Sequence, residues 1–352
     1  MSESQPIMSL RNLTRTFDTK GGTITAVDDV SFDLNRGDIL CLVGESGSGK
    51  TTVARMAAGM LSPTRGSVLF EGRDISKMSK SEFSAYRQAV QIIHQDPYAS
   101  LNPIHTIGDT LRAPLLKHKL VKNRKEATKR AGELLELVDC RPVENFIDKY
   151  PHQLSGGQRQ RISIARAMTL NPKVIVADES VSMVDVSIRV SLLNTLLKLR
   201  NELGVTFLFI THDLAVVKYF GWEGRIGVMY VGKMIERGVT PKVIGSALHP
   251  YTRALAAAIP EADPDLTRSK EKLQLRSLDI PNLNALPKGC VFHPRCPYWV
   301  EGWCDVEVPQ LVDVGNGREI ACHVATQDIQ NGGDGRDLPV TDVMAREKMA
   351  IS

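Results

Sequence analysis

One pattern restricts the fold of this chain more than any other. The apolar run Ile39-Leu40-Cys41-Leu42-Val43 passes directly into Gly44-Glu45-Ser46-Gly47-Ser48-Gly49-Lys50-Thr51 and then into helix-compatible residues beginning at Thr52. Strand, glycine loop and helix in that order require a buried strand that ends at a helix N-terminus. Glycines let successive backbone amides turn toward one point, and the helix start adds partial positive charge there, so the loop suits phosphate oxygens. The spacing fits G-x-x-x-x-G-K-[ST], in which the lysine, here Lys50, meets the β- and γ-phosphates of a nucleotide and the hydroxyl of Thr51 ligates Mg2+. Gly44 through Thr51, with Thr52, are the expected nucleotide-binding residues.

Further short apolar runs at 89–93, 174–177 and 205–210, some separated by longer helix-compatible stretches, predict crossover connections and a largely parallel sheet, hence an α/β core. Between Pro97 and Pro151, Ala131, Leu134, Leu135 and Val138 recur at helical spacing, which predicts a helical insertion. A loop-rich segment near residues 281–324 holds four of the six cysteines. The expected organisation is 1–96 as the first part of the core, 97–170 as the helical subdomain, 171–245 as the rest of the core, 246–325 as a cysteine-containing C-terminal extension and 326–352 as a mobile polar tail. At 352 residues, 42% hydrophobic and 24% charged, the chain can bury a sizeable core, which excludes a disordered or disulfide-scaffold protein. No apolar run reaches membrane-spanning length, and residues 1–10 lack the pattern of a secretory signal, so a cytosolic location is expected. A net charge of +4 is too small to imply a nucleic-acid partner.

Two acids, Asp178 and Glu179, stand at the C-terminal end of the apolar strand 174–177, the edge where open α/β sheets bind ligands. Asp178 suits the Mg2+ shell opposite Thr51, and Glu179 suits a general base for an attacking water. A second anion site is written in Leu154-Ser155-Gly156-Gly157-Gln158, where a hydroxyl and two glycines open an apolar-periodic helix.

These motifs, together with His212 after the strand 205–210, resemble the ATP-binding subunit of an ABC transporter over residues 8–325. The resemblance implies that two such subunits sandwich two ATP molecules, each held by the glycine loop of one and by the Ser155-Gly156-Gly157-Gln158 loop of the other. It implies that Phe17 stacks on adenine, that Gln95 joins Thr51 and Asp178 around Mg2+ and its water, that His212 contacts the γ-phosphate, and that Asp185 lies in the loop crossing between subunits. The sequence departs from the common pattern at Ser180, where most members have proline, and at Val181, Met183 and Val184; Glu179 is retained, so catalysis is expected to survive.

Gln95-Asp96-Pro97-Tyr98-Ala99-Ser100-Leu101-Asn102-Pro103, His249-Pro250-Tyr251-Thr252-Arg253 and Gly289-Cys290-Val291-Phe292-His293-Pro294-Arg295-Cys296 resemble the oligopeptide/dipeptide importer branch, which also includes importers of nickel and of oligosaccharides. That branch implies two integral-membrane permease subunits, a second related ATPase forming a heterodimer, an extracytoplasmic substrate-binding protein, and a peripheral position on the cytoplasmic face of the inner membrane. Cys290, Cys296, Cys304 and Cys322 gather in a segment with little expected core, where a metal supplies the cross-link a core would give. Thiolates so placed hold a cubane cluster, or zinc with help from His293 or His323, or remain unligated; the resemblance favours [4Fe-4S]. Cys41 and Cys140 read as buried small hydrophobes. The basic run Lys117, Lys119, Lys122, Arg124, Lys125, Lys129 and Arg130 reads as a solvated helix face, or as a surface drawn to anionic lipid or a permease loop. Two other functions compete: a soluble ABC ATPase acting on ribosomes or DNA, which commonly carries two cassettes or a long coiled-coil insertion, neither present here, and a catalytically weak docking subunit, suggested by the changes around Ser180.

Overall fold

The structure, a computed structural model, describes residues 5–259 and 273–340. Its centre is an eight-stranded sheet built from β3 (Ile39–Val43), β6 (Val90–Ile93), β7 (Val174–Asp178), β8 (Thr206–Thr211), β9 (Arg225–Tyr230), β10 (Lys233–Val239), β11 (Val312–Asp313) and β12 (Glu319–Ile320), in the order β11-β12-β10-β9-β3-β8-β7-β6. Strands β9, β3, β8, β7 and β6 run parallel, while β10, β12 and β11 add on antiparallel at one edge. Every residue of β3, β7 and β8 is buried, which fits continuous apolar runs covered on both faces.

Alternation along these strands divides the interior into two cores. Leu40, Leu42, Val174, Val176, Leu208 and Ile210 face the helix Lys50–Ala57 and a second sheet. Ile39, Cys41, Val43, Ile175, Ala177, Phe207 and Phe209 face the helical insertion and the C-terminal extension. That second sheet is antiparallel, with β1 (Met8–Thr19), β2 (Gly22–Leu34), β4 (Arg65–Phe70) and β5 (Arg73–Asp74) in the order β2-β1-β4-β5. The sequence reading foresaw the parallel strands and missed this layer. Register shifts between Leu10 and Thr16 break the period of two that would have revealed β1 and β2.

The insertion is helical as expected, with principal helices Ile107–Lys117, Arg124–Leu137 and Gly156–Met168. Thr106 and Asn123 cap the first two, accepting from the amides of Asp109 and Glu126. Ala131, Leu134, Leu135 and Val138 are all buried. Cys41 and Cys140 are buried as expected.

The C-terminal extension shares the main core, contributing Val291, Phe292, Cys296 and Tyr298. A buried carboxylate anchors it: Glu236 on β10 accepts from the amides of Leu248 (3.1 Å) and His249 (3.0 Å) and pairs with Arg318 at 2.6 Å. The described part of the segment read as a mobile tail is ordered differently. A helix, His323–Gln330, crosses the expected boundary at 325/326, Asp328 accepts the amide of Gly335 at 2.8 Å, and Leu338 is buried. Residues 341–352 of that tail and 260–272 of the extension lie outside the described residues. Among the described residues no helix is long and apolar enough to cross a membrane.

Candidate functional site

Strand order assembles the site. Because β3, β8, β7 and β6 are parallel neighbours, the loops leaving their C-terminal ends open on one edge of the sheet. The β3 loop carries residues 44–49, β7 ends in Asp178 and Glu179, β8 is followed by His212, and β6 by Gln95.

Two glycines in the β3 loop have no substitute. A Cβ on Gly44 would stand 2.1 Å from the carbonyl oxygen of Met229, and one on Gly49, at φ +98, would stand 2.3 Å from that of Ala26. Lys50 spans the loop, donating from Nζ to the carbonyls of Gly44 (2.7 Å) and Glu45 (2.8 Å) and to the Ser48 hydroxyl (3.2 Å). Burial lowers the Lys50 pKa, opposed by the carboxylates of Glu179, Asp178 and Glu45. Ser46 and Gly47 are exposed, Thr51 is exposed, and Thr52 lies partly buried one residue on. The Thr51 hydroxyl donates to Asp178 Oδ1 at 3.1 Å, joining the loop helix to the end of β7. Burial raises the Asp178 pKa, opposed by that hydrogen bond.

Glu179 occupies the left-handed region at φ 46 and is tied to β8 by its amide, which donates to Ile210 O at 3.0 Å. Its carboxylate is bracketed: Gln95 Nε2 donates to Oε2 at 3.0 Å, and His212 Nδ1 lies 3.3 Å from Oε1. Ser180 is buried, and its hydroxyl finds no partner among the described residues. Phe17 on β1 is 36% exposed, so it is not core, and the Arg15 guanidinium covers its ring at 4.7 Å.

The other expected anion loop lies apart from these residues. Ser155 caps the helix Gly156–Met168 in a capping box with Gln158, and Gly156 has open space where a Cβ would project. A Cβ on Gly157 would stand 2.5 Å from Ile188 Cγ2. Ser155, Gly157 and Gln158 line a recess of about 270 Å3 with Arg161, Ser187, Ile188 and Ser191, and no residue of 44–52 borders it. Asp185 is exposed beside the exposed apolar side chains of Met183 and Val186.

Cys290, Cys296, Cys304 and Cys322 line one small cavity. Burial pushes the Cys290 thiol up to about 11, with Cys304 adding to the shift, and Cys322 up to about 12, with Cys290 and Cys304 adding to it. Among the described residues no group of three or more His, Cys, Asp or Glu is placed to hold a metal ion. The side-chain arrangement therefore supports neither the iron–sulfur nor the zinc expectation beyond bringing the thiols together.

Sequence reasoning missed two partners of Glu45. Arg295 and Tyr251 reach it from the C-terminal extension, and both stood in the sequence only as marks of a family branch. It also missed a groove of about 1040 Å3 between the helices Lys80–Ala89 and Ile107–Lys117. Lys80, Arg87, Arg112, Lys117, Arg124 and Arg166 line it against one carboxylate among the described residues, Asp109, already paired with Arg112 at 2.8 Å.

A glycine loop leaving β3, Asp178 at the end of β7 and the bracketed Glu179 beside it define a nucleotide-hydrolysing cassette. Residues 27–182 match the ABC transporter family, and residues 235–304 match the oligopeptide/dipeptide transporter C-terminal region. A probable peptide ABC transporter ATP-binding protein of Sinorhizobium fredii is 41% identical over 91% of this chain and 90% of its own length. A putative oligopeptide transport ATP-binding protein of Bacillus subtilis is 43% identical over 91% and 95%. Among solved structures, a dimeric ATP-binding cassette in a post-hydrolysis state bound to ADP and Pi matches with a TM-score of 0.60 and 29% identity, covering 66% of this chain and 98% of that one. The chain belongs to the ATP-binding subunits of ABC transporters. It is an ATPase whose hydrolysis is coupled to transport.

Proposed function

We propose that the chain energises an importer of oligopeptides or dipeptides, working from the cytoplasmic face of the inner membrane against two permease subunits. The relatives named for peptide import and the match over 235–304 support the cargo class. In this reading residues 44–52 hold the phosphates, Phe17 stacks on adenine, Thr51, Asp178 and Gln95 surround Mg2+, Glu179 takes the proton of the attacking water, and His212 steadies the γ-phosphate. The groove under the helical insertion receives a cytoplasmic segment of the permease, and its cationic lining favours a segment carrying carboxylates.

The separation of the Ser155 recess from the glycine loop carries the reading. An anion site that shares no lining residue with its own nucleotide loop is, in this reading, complete only when a second cassette presents the missing half. ATP then drives pairing because the closed pair binds it more tightly than the open one. A related ATPase is the partner, giving a heterodimer. The test is ATP binding by the isolated full chain against ATP-driven pairing in the membrane complex. Lys50→Ala abolishes binding, whereas Ser155→Ala leaves binding by the single chain intact and stops pairing. Loss of single-chain binding in Ser155→Ala contradicts the composite site.

The cysteine cavity, in the same reading, takes a [4Fe-4S] cluster. Four thiols border one space, yet no three are placed to hold one ion, and a cubane spreads its ligands over separate irons. The cluster would supply a covalent cross-link to a loop-rich segment. Iron and acid-labile sulfide in anaerobically purified protein test it; zinc alone, or neither, contradicts it.

A further inference from the structure

Glu45 belongs to the glycine loop, but the groups that hold it come from the C-terminal extension. Its carboxylate accepts both arms of the Arg295 guanidinium, at 2.7 Å from Nη1 and 3.0 Å from Nη2, and its amide donates to the Tyr251 hydroxyl at 2.7 Å. The Arg295 side chain is only 5% exposed. It lies 5.6 Å and 5.7 Å from the ring centres of Tyr230 and Phe292, and Tyr230, Tyr251 and Phe292 pack against one another. Arg295 is the residue before Cys296, in the turn bordering the thiol cavity, and its amide donates to Phe292 O at 3.0 Å.

A buried, forked guanidinium fixes a carboxylate in direction as well as distance. The fixed residue matters here because the Glu45 carbonyl also accepts from Lys50 Nζ at 2.8 Å, while the next two residues, Ser46 and Gly47, are exposed. Glu45 is thus the point where the loop is pinned beside its exposed residues, and the pin reaches the lysine expected to meet phosphate.

We propose that Arg295 is a positioning residue for ATP binding, and that the C-terminal extension, through Arg295 and Tyr251, holds the glycine loop at Glu45 in the shape that receives the phosphates. The proposal rests on residues 44–51 being the nucleotide loop, and it makes the cysteine-lined extension part of the nucleotide site.

The test compares ATP affinity of the full chain, by displacement of a fluorescent ATP analogue, with kcat in the membrane complex. Arg295→Ala weakens ATP binding about tenfold, as misplaced loop amides lose their aim, while kcat at saturating ATP stays within about threefold. Glu45→Gln shows a similar loss, and the double variant binds no more weakly than the worse single one, because both remove the same contact. Arg295→Lys falls between, a single ammonium replacing the fork. Unchanged affinity in Arg295→Ala, additive losses in the double variant, or a loss confined to kcat overturns the proposal. If Arg295→Ala does not fold, Arg295→Lys and Glu45→Gln decide alone. Lys50→Ala separates the two levels: if it abolishes binding while the Arg295 variants bind normally, only the positioning role fails, and if it still binds ATP, the loop assignment fails.

Discussion

Replacing Glu179 by glutamine tests the catalytic assignment with little change of shape. The carboxylate accepts from Gln95 at 3.0 Å, stands 3.3 Å from His212, and its side chain is 17% exposed, so an amide fits the same space and keeps one acceptor for Gln95. What it loses is the basic oxygen. A positioned general base contributes about 10²–10⁴-fold, which at about 1.4 kcal/mol per tenfold is about 3–5 kcal/mol of the barrier. The glycine loop, Thr51 and Asp178 are untouched, so ATP binding and ATP-driven pairing persist. Single-turnover hydrolysis of radiolabelled ATP, with pairing followed by light scattering, reads both quantities. Turnover within a few-fold of the unmodified protein, at intact ATP binding, refutes Glu179 as the base.

Other consequences follow from single contacts. Gly49→Ala sets a Cβ 2.3 Å from the Ala26 carbonyl at φ +98, and equilibrium dialysis is expected to find ATP binding lost. Glu236→Ala leaves Arg318 as a buried charge without its partner and frees two amides, at a cost of about 3–5 kcal/mol read from denaturant unfolding. Asp178→Asn separates stability from function. Burial raises the Asp178 pKa, so its contribution to stability is fully present below the ordinary carboxylate range and is lost as pH rises through the raised value. At neutral pH the asparagine variant is therefore expected to melt higher than the parent without Mg2+, the difference shrinking in acid, while Mg2+-dependent hydrolysis is lost; an unchanged difference from neutral to acid pH would refute the burial argument.

The parts of the site that lie within one continuous stretch were legible from sequence. Residues 39–51 spell a buried strand and a phosphate-shaped turn, and 174–179 spell a strand that ends in acids, because local geometry alone sets those patterns. Gln95 and His212 carry no local signal; they meet Glu179 only because β6, β7 and β8 are neighbours, which follows from sheet order. The sheet of β1, β2, β4 and β5 escaped because bulges in β1 destroy its alternation. The hold of Arg295 on Glu45 escaped for a different reason: it joins residues 250 positions apart, and neither position announces the other. The helix after Cys322 was hidden by the polar, glycine-rich residues that follow it, although Ala325 and Leu338 bury against the core.

The coupling of this chain to a membrane permease is open to direct test. Purifying the tagged full-length protein from detergent-solubilised membranes of its source, and identifying what accompanies it by mass spectrometry, tests that most directly. Two multi-span permease proteins and a second ATPase of the same family are expected to accompany it. Ribosomal or DNA-repair proteins in their place would contradict that coupling.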